Sequence, residues 1–375
     1  MIDSNLNHEI PFMKRRFLCK LRKHWLMGAL LLFSPVMLAN ESAVSQSSLD
    51  TVTRIAFGSC AEPKESYGIF DVIVADAPDV FLFLGDNVYA DDESDGPELK
   101  SLQAAYASLA QSREFKHLKA QVPLYATWDD HDYGLNDAGG DWPHKWAAEA
   151  LFENFWAIPS DDPSTARPGI YREIRFGERG KSVQLILLDT RFFRTALRKP
   201  IIPPSNGRYE PTDDPNQSML GEAQWAWLEE VLAQPADLRL IASSVQFLAD
   251  GHAWEAWRLL PIEQRRLMTL LSQAQGSTLI LSGDRHMAGI YYDNQRSEAP
   301  LLEITASSLN LPLSSILGEL SDEPGPYRLG QPFYDANYGM LEIDWPARRV
   351  FASIKNGEGD TVRSVEFKLS PLPSD

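Results

Sequence analysis

Three short clusters of oxygen and imidazole donors each follow an apolar run in this chain. Leu84-Gly85-Asp86-Asn87-Val88-Tyr89 closes the run at 80–84, Thr127-Trp128-Asp129-Asp130-His131-Asp132 follows 124–126, and Ser282-Gly283-Asp284-Arg285-His286 follows 278–281. Short apolar runs bounded by turn residues predict buried strands. Strands ending in such clusters would bring them to one rim of a sheet, where open α/β folds place their sites. Carboxylates and imidazoles gathered there suit one or two divalent or trivalent metal ions, and metal-dependent hydrolysis is the chemistry to which they point.

Each cluster has its own logic. Gly85 lets the backbone turn tightly, so that Asp86 could bridge two ions through its two oxygens while Tyr89 swings its phenolate onto one of them. In the second cluster three carboxylates surround one imidazole, and like charges repel unless a cation neutralises them. Asp130 is the ligand expected there. His131 points elsewhere if the segment is extended, toward a substrate oxygen or leaving group, and a solvated acidic loop is the plausible alternative for Asp132 and Asp137. Asp284 and His286, at i and i+2, would reach one centre, with Arg285 facing away. Asp189-Thr190-Arg191 forms a fourth cluster after the run at 185–188, and Arg191 or Arg194 offers the fork geometry that phosphate recognition prefers. Asn87, Asn136 and Asp189 are candidates for supporting or substrate-contacting roles.

The elements that must position these residues alternate along the chain. Strands are expected at 54–59, 80–84, 124–126, 170–176, 183–188, 238–243 and 278–282, with helices at 106–118, 146–156, 221–232 and 261–274. Short strands follow at 301–305, 340–344 and 350–354. A Pro-rich insertion occupies 200–215, and 312–332 reads as a long surface loop flanking the cleft. The four tryptophans at 225, 227, 254 and 257 are expected to pack core and cleft walls.

Composition bounds the rest. Of 375 residues, 44% are hydrophobic and 23% charged, as in a globular protein. A formal net charge of -17 lacks the basic footprint of a nucleic-acid-binding surface, and no protein partner is inferred. Residues 1–39 carry a basic stretch and then a short apolar one, Trp25-Leu26-Met27-Gly28-Ala29-Leu30-Leu31-Leu32-Phe33, as a secretory leader does. Export to a periplasm or the outside is therefore expected, or tethering by the uncleaved segment. A polar leader at 40–52 and a single domain at 53–375 complete the expected organisation. Cys19 falls in the leader, leaving Cys60 alone at the end of its strand, either an inert buried thiol or a thiolate ligand.

The ordered set Arg54-Ile-Ala-Phe-Gly-Ser-Cys60, Leu84-Gly-Asp-Asn-Val-Tyr89, Thr127-Trp-Asp-Asp-His-Asp-Tyr-Gly-Leu-Asn136, Leu188-Asp-Thr-Arg-Phe-Phe-Arg194, Leu220-Gly-Glu-Ala-Gln-Trp-Ala-Trp-Leu228 and Leu281-Ser-Gly-Asp-Arg-His286 resembles the alkaline phosphatase D (PhoD-like) family of metallophosphoesterases. The resemblance implies a four-layer α/β/β/α sandwich of the calcineurin-like kind. It also implies a dinuclear or multinuclear centre of ferric iron plus calcium or another divalent ion, with Cys60, Asp86, Tyr89, Asp130, Asp284 and His286 as ligands and His131 as the catalytic imidazole. Two departures stand out: the wider superfamily's Asp-x-His first motif is missing, and Asp replaces Asn or His at two ligand positions. Many members carry an N-terminal β-sandwich, for which there is no room before Arg54. The expected reaction is hydrolysis of a phosphoric mono- or diester, a metal-bound hydroxide attacking phosphorus and Arg191 clamping the phosphate. The substrate would be a small phosphate ester or, alternatively, a phospholipid head group. A non-catalytic metal- or phosphate-binding role is the remaining alternative.

Overall fold

The computed structural model describes residues 50–297, 299–316, 323 and 325–372. The expected leader at 1–39 and most of the polar stretch at 40–52 lie outside the described residues. The chain runs β1 (Arg54–Gly58), α1 (Gly68–Ala75), β2 (Val80–Leu84), α2 (Lys100–Gln111), α3 (Arg113–Gln121), β3 (Leu124–Thr127), α4 (Asp130–Tyr133) and α5 (Lys145–Phe155). Then come β4 (Arg172–Phe176), β5 (Val183–Leu187), α6 (Gly221–Leu232), β6 (Leu238–Ser243), α7 (Pro261–Gln273), β7 (Ser277–Ser282), β8 (Ala288–Asp293) and β9 (Leu301–Ala306). The last elements are α8 (Leu313–Ile316), β10 (Arg328–Phe333), β11 (Asn337–Asp344), β12 (Arg349–Asn356) and β13 (Thr361–Lys368).

Two sheets result. One has the order β13-β12-β11-β1-β2-β3 and the other β10-β8-β9-β7-β6-β5-β4. At the heart of each the strands are parallel, β1-β2-β3 in the first and β5-β6-β7-β9 in the second. Their side chains explain the layering, because strands buried on both faces read as unbroken apolar runs. Val80, Leu82 and Leu84 of β2 face Leu185, Leu240 and Leu281 between the sheets. Phe81 and Phe83 turn the other way, into the layer of Phe70, Leu109, Phe115 and Phe152 from α1, α2, α3 and α5. Ile186, Ile241 and Ile280 meet Trp225, Leu228 and Leu267 of α6 and α7 on the opposite outer face. The order helix, sheet, sheet, helix is the four-layer sandwich expected.

The structure adds α1, β8 and β13 to the expected elements and redraws two of those expected. The helix at 106–118 is two helices, because the Ser112 hydroxyl accepts the N–H of Phe115 at 3.1 Å and starts α3 as its N-cap. The loop at 312–332 is not loop throughout: it contains α8 and the edge strand β10, which pairs with β8. Gly330 and Pro332 hide that strand in the sequence, since both residues are tolerated at an edge. Residues 317–322 and 324 of this stretch lie outside the described residues.

Candidate metal centre

All the parallel strands end at one rim, and the loops leaving them carry the donors: Cys60 after β1, Asp86 after β2, Asp129 and Asp130 after β3, and Asp284 and His286 after β7. The backbone there is held in an unusual state. Cys60 (φ 62°), Asp86 (φ 49°), Asp284 (φ 68°) and His286 (φ 53°) all lie in the left-handed region, which costs an L-residue energy and concentrates at functional sites. Close approach of the loops adds to this. A Cβ on Gly85 would lie 2.6 Å from Asp129 Cβ, and one on Gly283 would lie 2.6 Å from Ser59 Oγ.

The donor atoms fall into overlapping groups, each within 4.8 Å: Cys60, Asp86 and His286; Asp86, Asp130 and His131; Asp129, Asp130 and Asp284; Asp130, Asp137 and Glu255. Asp86 thus stands between two neighbouring positions, as a bridging carboxylate must. Tyr89 Oη lies 3.1 Å from Asp86 Oδ2 and 3.4 Å from His286 Nε2. Cys60 Sγ is 3.5 Å from Asp86 Oδ2 and 3.2 Å from Ser307 Oγ. His286 Nδ1 sits 2.7 Å from the Leu311 carbonyl; donating there leaves the Nε2 lone pair for the cluster.

These residues fit metal ions on physical grounds. Burial raises the Asp86 and Asp284 carboxyls well above the usual range, and burial, reinforced by the Asp86 charge, does the same to the Cys60 thiol. Without a cation the cluster favours its protonated, non-ligating forms. His286 is the exception that also suits a ligand, since burial pushes its imidazole down to about 4 and keeps it neutral. Asp129 Oδ2 and Asp130 Oδ1 are buried with no hydrogen-bond partner, a cost that a bound ion would relieve.

A cavity of about 440 Å³ opens over this floor. Asp86, Asp130, His131, Asp284 and His286 line its base, and Asn136, Ser205, Asn206, Arg208, Trp254 and Arg285 its walls. His131 Nδ1 lies 2.5 Å from Asp91 Oδ2. Burial would lower its pKa, but Asp130, Asp86 and Asp91 outweigh burial and push it up to about 11.

Several expectations need correction. His131 is not on an extended segment: Asp129 caps the helical turn α4, and Asp132 at its third position completes a capping box. Asp132 is buried rather than solvated, and it accepts the N–H groups of Asp86 and Asp129 at 3.1 and 2.7 Å and the Tyr106 hydroxyl at 3.2 Å. Asp284 and His286 both line the one cavity, in neighbouring donor groups, but Arg285 does not face away: it lines the same cavity, paired with Glu323. Arg191 does not reach the cavity as a clamp. It is fully buried, with Nε 2.5 Å from Asp129 Oδ1 and Nη1 2.6 Å from Glu255. Arg194 pairs with the same Glu255 at 2.9 Å.

Of the supporting candidates, Asn136 is on the cavity wall. Asn87 is buried and donates to Asp132 Oδ2 at 2.5 Å and to the Thr127 carbonyl. Asp189 is also buried and accepts Trp128 Nε1 at 2.9 Å and three backbone N–H groups. Both hold loops in place. Sequence reasoning did not single out Asp129, Glu255 or Arg208. The Asp-Asp doublet was a signal for the first, whereas Glu255 and Arg208 lie in irregular stretches with no local motif.

A family model described as PhoD-like phosphatase matches residues 55–319. A solved structure titled "Structure of PhoD" superposes with a TM-score of 0.67 at 17% identity, covering 88% of this chain and 73% of that one, a likeness of fold. The crystal structure of TT1561 of Thermus thermophilus gives a TM-score of 0.40 at 11% identity, over 82% of this chain and 100% of that one, too low to carry an argument. No curated protein matches the chain.

Proposed function

We propose, for a chain that belongs to the PhoD-like phosphatase family and is a phosphoric-ester hydrolase, that it is an exported diesterase acting on compact substrates at a centre of more than one metal ion. The observation that carries this reading is the overlap of donor groups through Asp86 and Asp130 at the floor of one cavity. Cys60, Asp86, Tyr89 and His286 would hold one ion, and Asp86, Asp129, Asp130 and Asp284 another. A thiolate, a phenolate and a carboxylate together suit ferric iron, whereas an all-oxygen set suits calcium or another hard divalent ion. Such ions supply Lewis acidity and neutralise charge as it develops on the phosphoryl group.

The chain's own groups do the rest. His131, at the cavity base with Nδ1 2.5 Å from Asp91, is placed to give a proton to the departing ester oxygen. Arg208 and Arg285 on the walls, paired with Asp137 at 3.1 Å and with Glu323, are the guanidinium groups a phosphate in the cavity would meet. A second hollow of about 450 Å³ shares Asn136, Asp137 and Arg208 with the cavity. It gives room for the group on the far side of phosphorus and favours a diester over a monoester. Export rests on the basic and apolar leader at 1–39, and one catalytic domain at 53–375 accounts for the motifs.

The test is hydrolysis of bis-p-nitrophenyl phosphate against p-nitrophenyl phosphate, with metals counted by elemental analysis. Faster diester turnover, abolished by chelation, is the expected result. Monoester turnover alone would overturn the diester reading, and a protein that binds no metal after reconstitution would overturn the site.

A further inference from the structure

One loop at the metal rim supplies no donor, yet it touches two residues that do. Strand β9 runs parallel to β7 in the second sheet, and the segment that leaves it, 307–313, passes between the Cys60 loop and the His286 loop. Its backbone ties to both. The N–H groups of Leu309 and Asn310 donate to the carbonyls of Ser59 and Cys60 at 2.9 and 3.3 Å, and that of Leu313 donates to the His286 carbonyl at 2.7 Å. His286 Nδ1 meets the Leu311 carbonyl of the same segment at 2.7 Å. Asn310 adds a clasp of two bonds on the Glu62 backbone, at 2.7 and 3.0 Å. Fastening of this kind is what keeps residues such as Cys60 and His286 in left-handed backbone. Ser307, fully buried, reaches the donors themselves. Its Oγ accepts the His286 N–H at 2.9 Å and lies 3.2 Å from Cys60 Sγ.

We propose that Ser307 is a positioning residue of the metal centre, its hydroxyl donating a hydrogen bond to the Cys60 thiolate while it accepts the His286 N–H. This rests on the reading that Cys60, Asp86, Tyr89 and His286 hold one ion. The direction of the bond follows from the chemistry. A thiol could donate to Ser307 Oγ, but a metal-bound thiolate has no proton to give. The His286 N–H occupies a lone pair of the hydroxyl and leaves its proton free to turn to sulfur. A donor on an anionic sulfur makes a charge-assisted bond. It draws electron density from the thiolate and weakens its donation to the ion, which is how groups behind the ligands tune a metal. Ser59 Oγ, 3.4 Å from the same sulfur, makes the longer contact. Ser308, next in the chain, supplies the contrast, since its hydroxyl is buried with no hydrogen-bond partner.

The experiment loads the full chain, freed of metal by chelation, with cobalt(II), whose near-ultraviolet charge-transfer band reports sulfur among its ligands. An all-oxygen position gives no such band. Wild type is expected to show it. Ser307→Ala is expected to move the band to longer wavelength, because a thiolate without its donor gives up an electron more readily, and to weaken cobalt binding about 10–100-fold. Ser307→Thr, which keeps the hydroxyl, should restore the wild-type position, and Ser308→Ala should change neither band nor affinity. A purely structural role would lower the melting temperature without moving the band. An unmoved band in cobalt-saturated Ser307→Ala would overturn the proposal, and so would wild type that binds cobalt without the band. A second measurement needs no variant. The cobalt–sulfur stretch of wild type, read by resonance Raman, should shift when the metal-free protein is equilibrated in D2O before loading, and a stretch indifferent to D2O would overturn the proposal. Neither reading needs turnover, so a chain with the shift but no ester hydrolysis would fail the hydrolase reading and keep this one.

Discussion

Asp86 and His131 share a cavity but do different work, and single substitutions should separate them. Asp86→Ala removes the carboxylate common to two donor groups; metal content measured by elemental analysis is expected to fall together with turnover. His131→Gln leaves those carboxylates in place, so metal content should hold while kcat drops by about 10²–10⁴. Arg191 makes a third case. A buried cation between Asp129 and Glu255 leaves both charges uncompensated when removed, so Arg191→Met should cost about 3–5 kcal/mol of stability in urea unfolding, and Arg191→Lys should restore part of it. A purely substrate-clamping arginine would instead raise KM at unchanged stability. Asp86 and Asp130 were legible in the sequence because a carboxylate next to a turn glycine or a Trp, after an apolar strand, has few other reasons to exist. Arg191 was misread because its chemical suitability for phosphate says nothing about which carboxylates reach it first. That depends on Glu255, which lies 64 positions away in a stretch without periodicity.

The elements that aim these residues are strands ending in glycine-assisted turns. Gly85, at φ +104°, lets the loop after β2 lie against the loop after β3, where a Cβ would sit 2.8 Å from the Asp129 backbone nitrogen. Gly85→Ala should therefore cost about 1–3 kcal/mol and also loosen metal binding, since the displaced loops carry Asp86 and Asp129. Thermal melts with and without added metal would measure both, and a variant that melts and binds metal like the wild type would refute this account of the turn. Central strands and their faces were readable, because burial on both sides demands continuous apolar runs such as 80–84. The edges were not. β10 and β13 face solvent on one side, and their residues alternate with charges and prolines that a sequence uses equally well in loops. The break at Ser112 was missed for a related reason: helical periodicity continues across it, and the division is one extended residue (ψ 142°) whose hydroxyl caps α3.

At the scale of the whole molecule, the metal rim needs two sheets held at a fixed offset, and the opposite rim has its own clasp. Asp237, just before β6, accepts the Gly180 N–H at 2.7 Å, the Ser182 N–H and hydroxyl at 3.1 and 2.8 Å, and Arg348 Nη1 at 3.1 Å. Arg348 belongs to the turn between β11 and β12, so this single carboxylate joins one sheet to the other. Burial would raise its pKa, but the Ser182 hydrogen bonds and Arg348 outweigh burial and hold it below its ordinary 3.8. A carboxylate with a depressed folded-state pKa contributes stability that is fully present above the unfolded value and is lost as pH falls through the folded one. Asp237→Asn should therefore lower stability by about 2 kcal/mol near neutral pH. The gap between variant and wild type should stay constant down to about pH 5 and then close as the pH drops below 3.8. Urea-unfolding midpoints across that range would measure it, and a gap that persisted undiminished well below 3.8 would show that the clasp does not depend on the charge of Asp237.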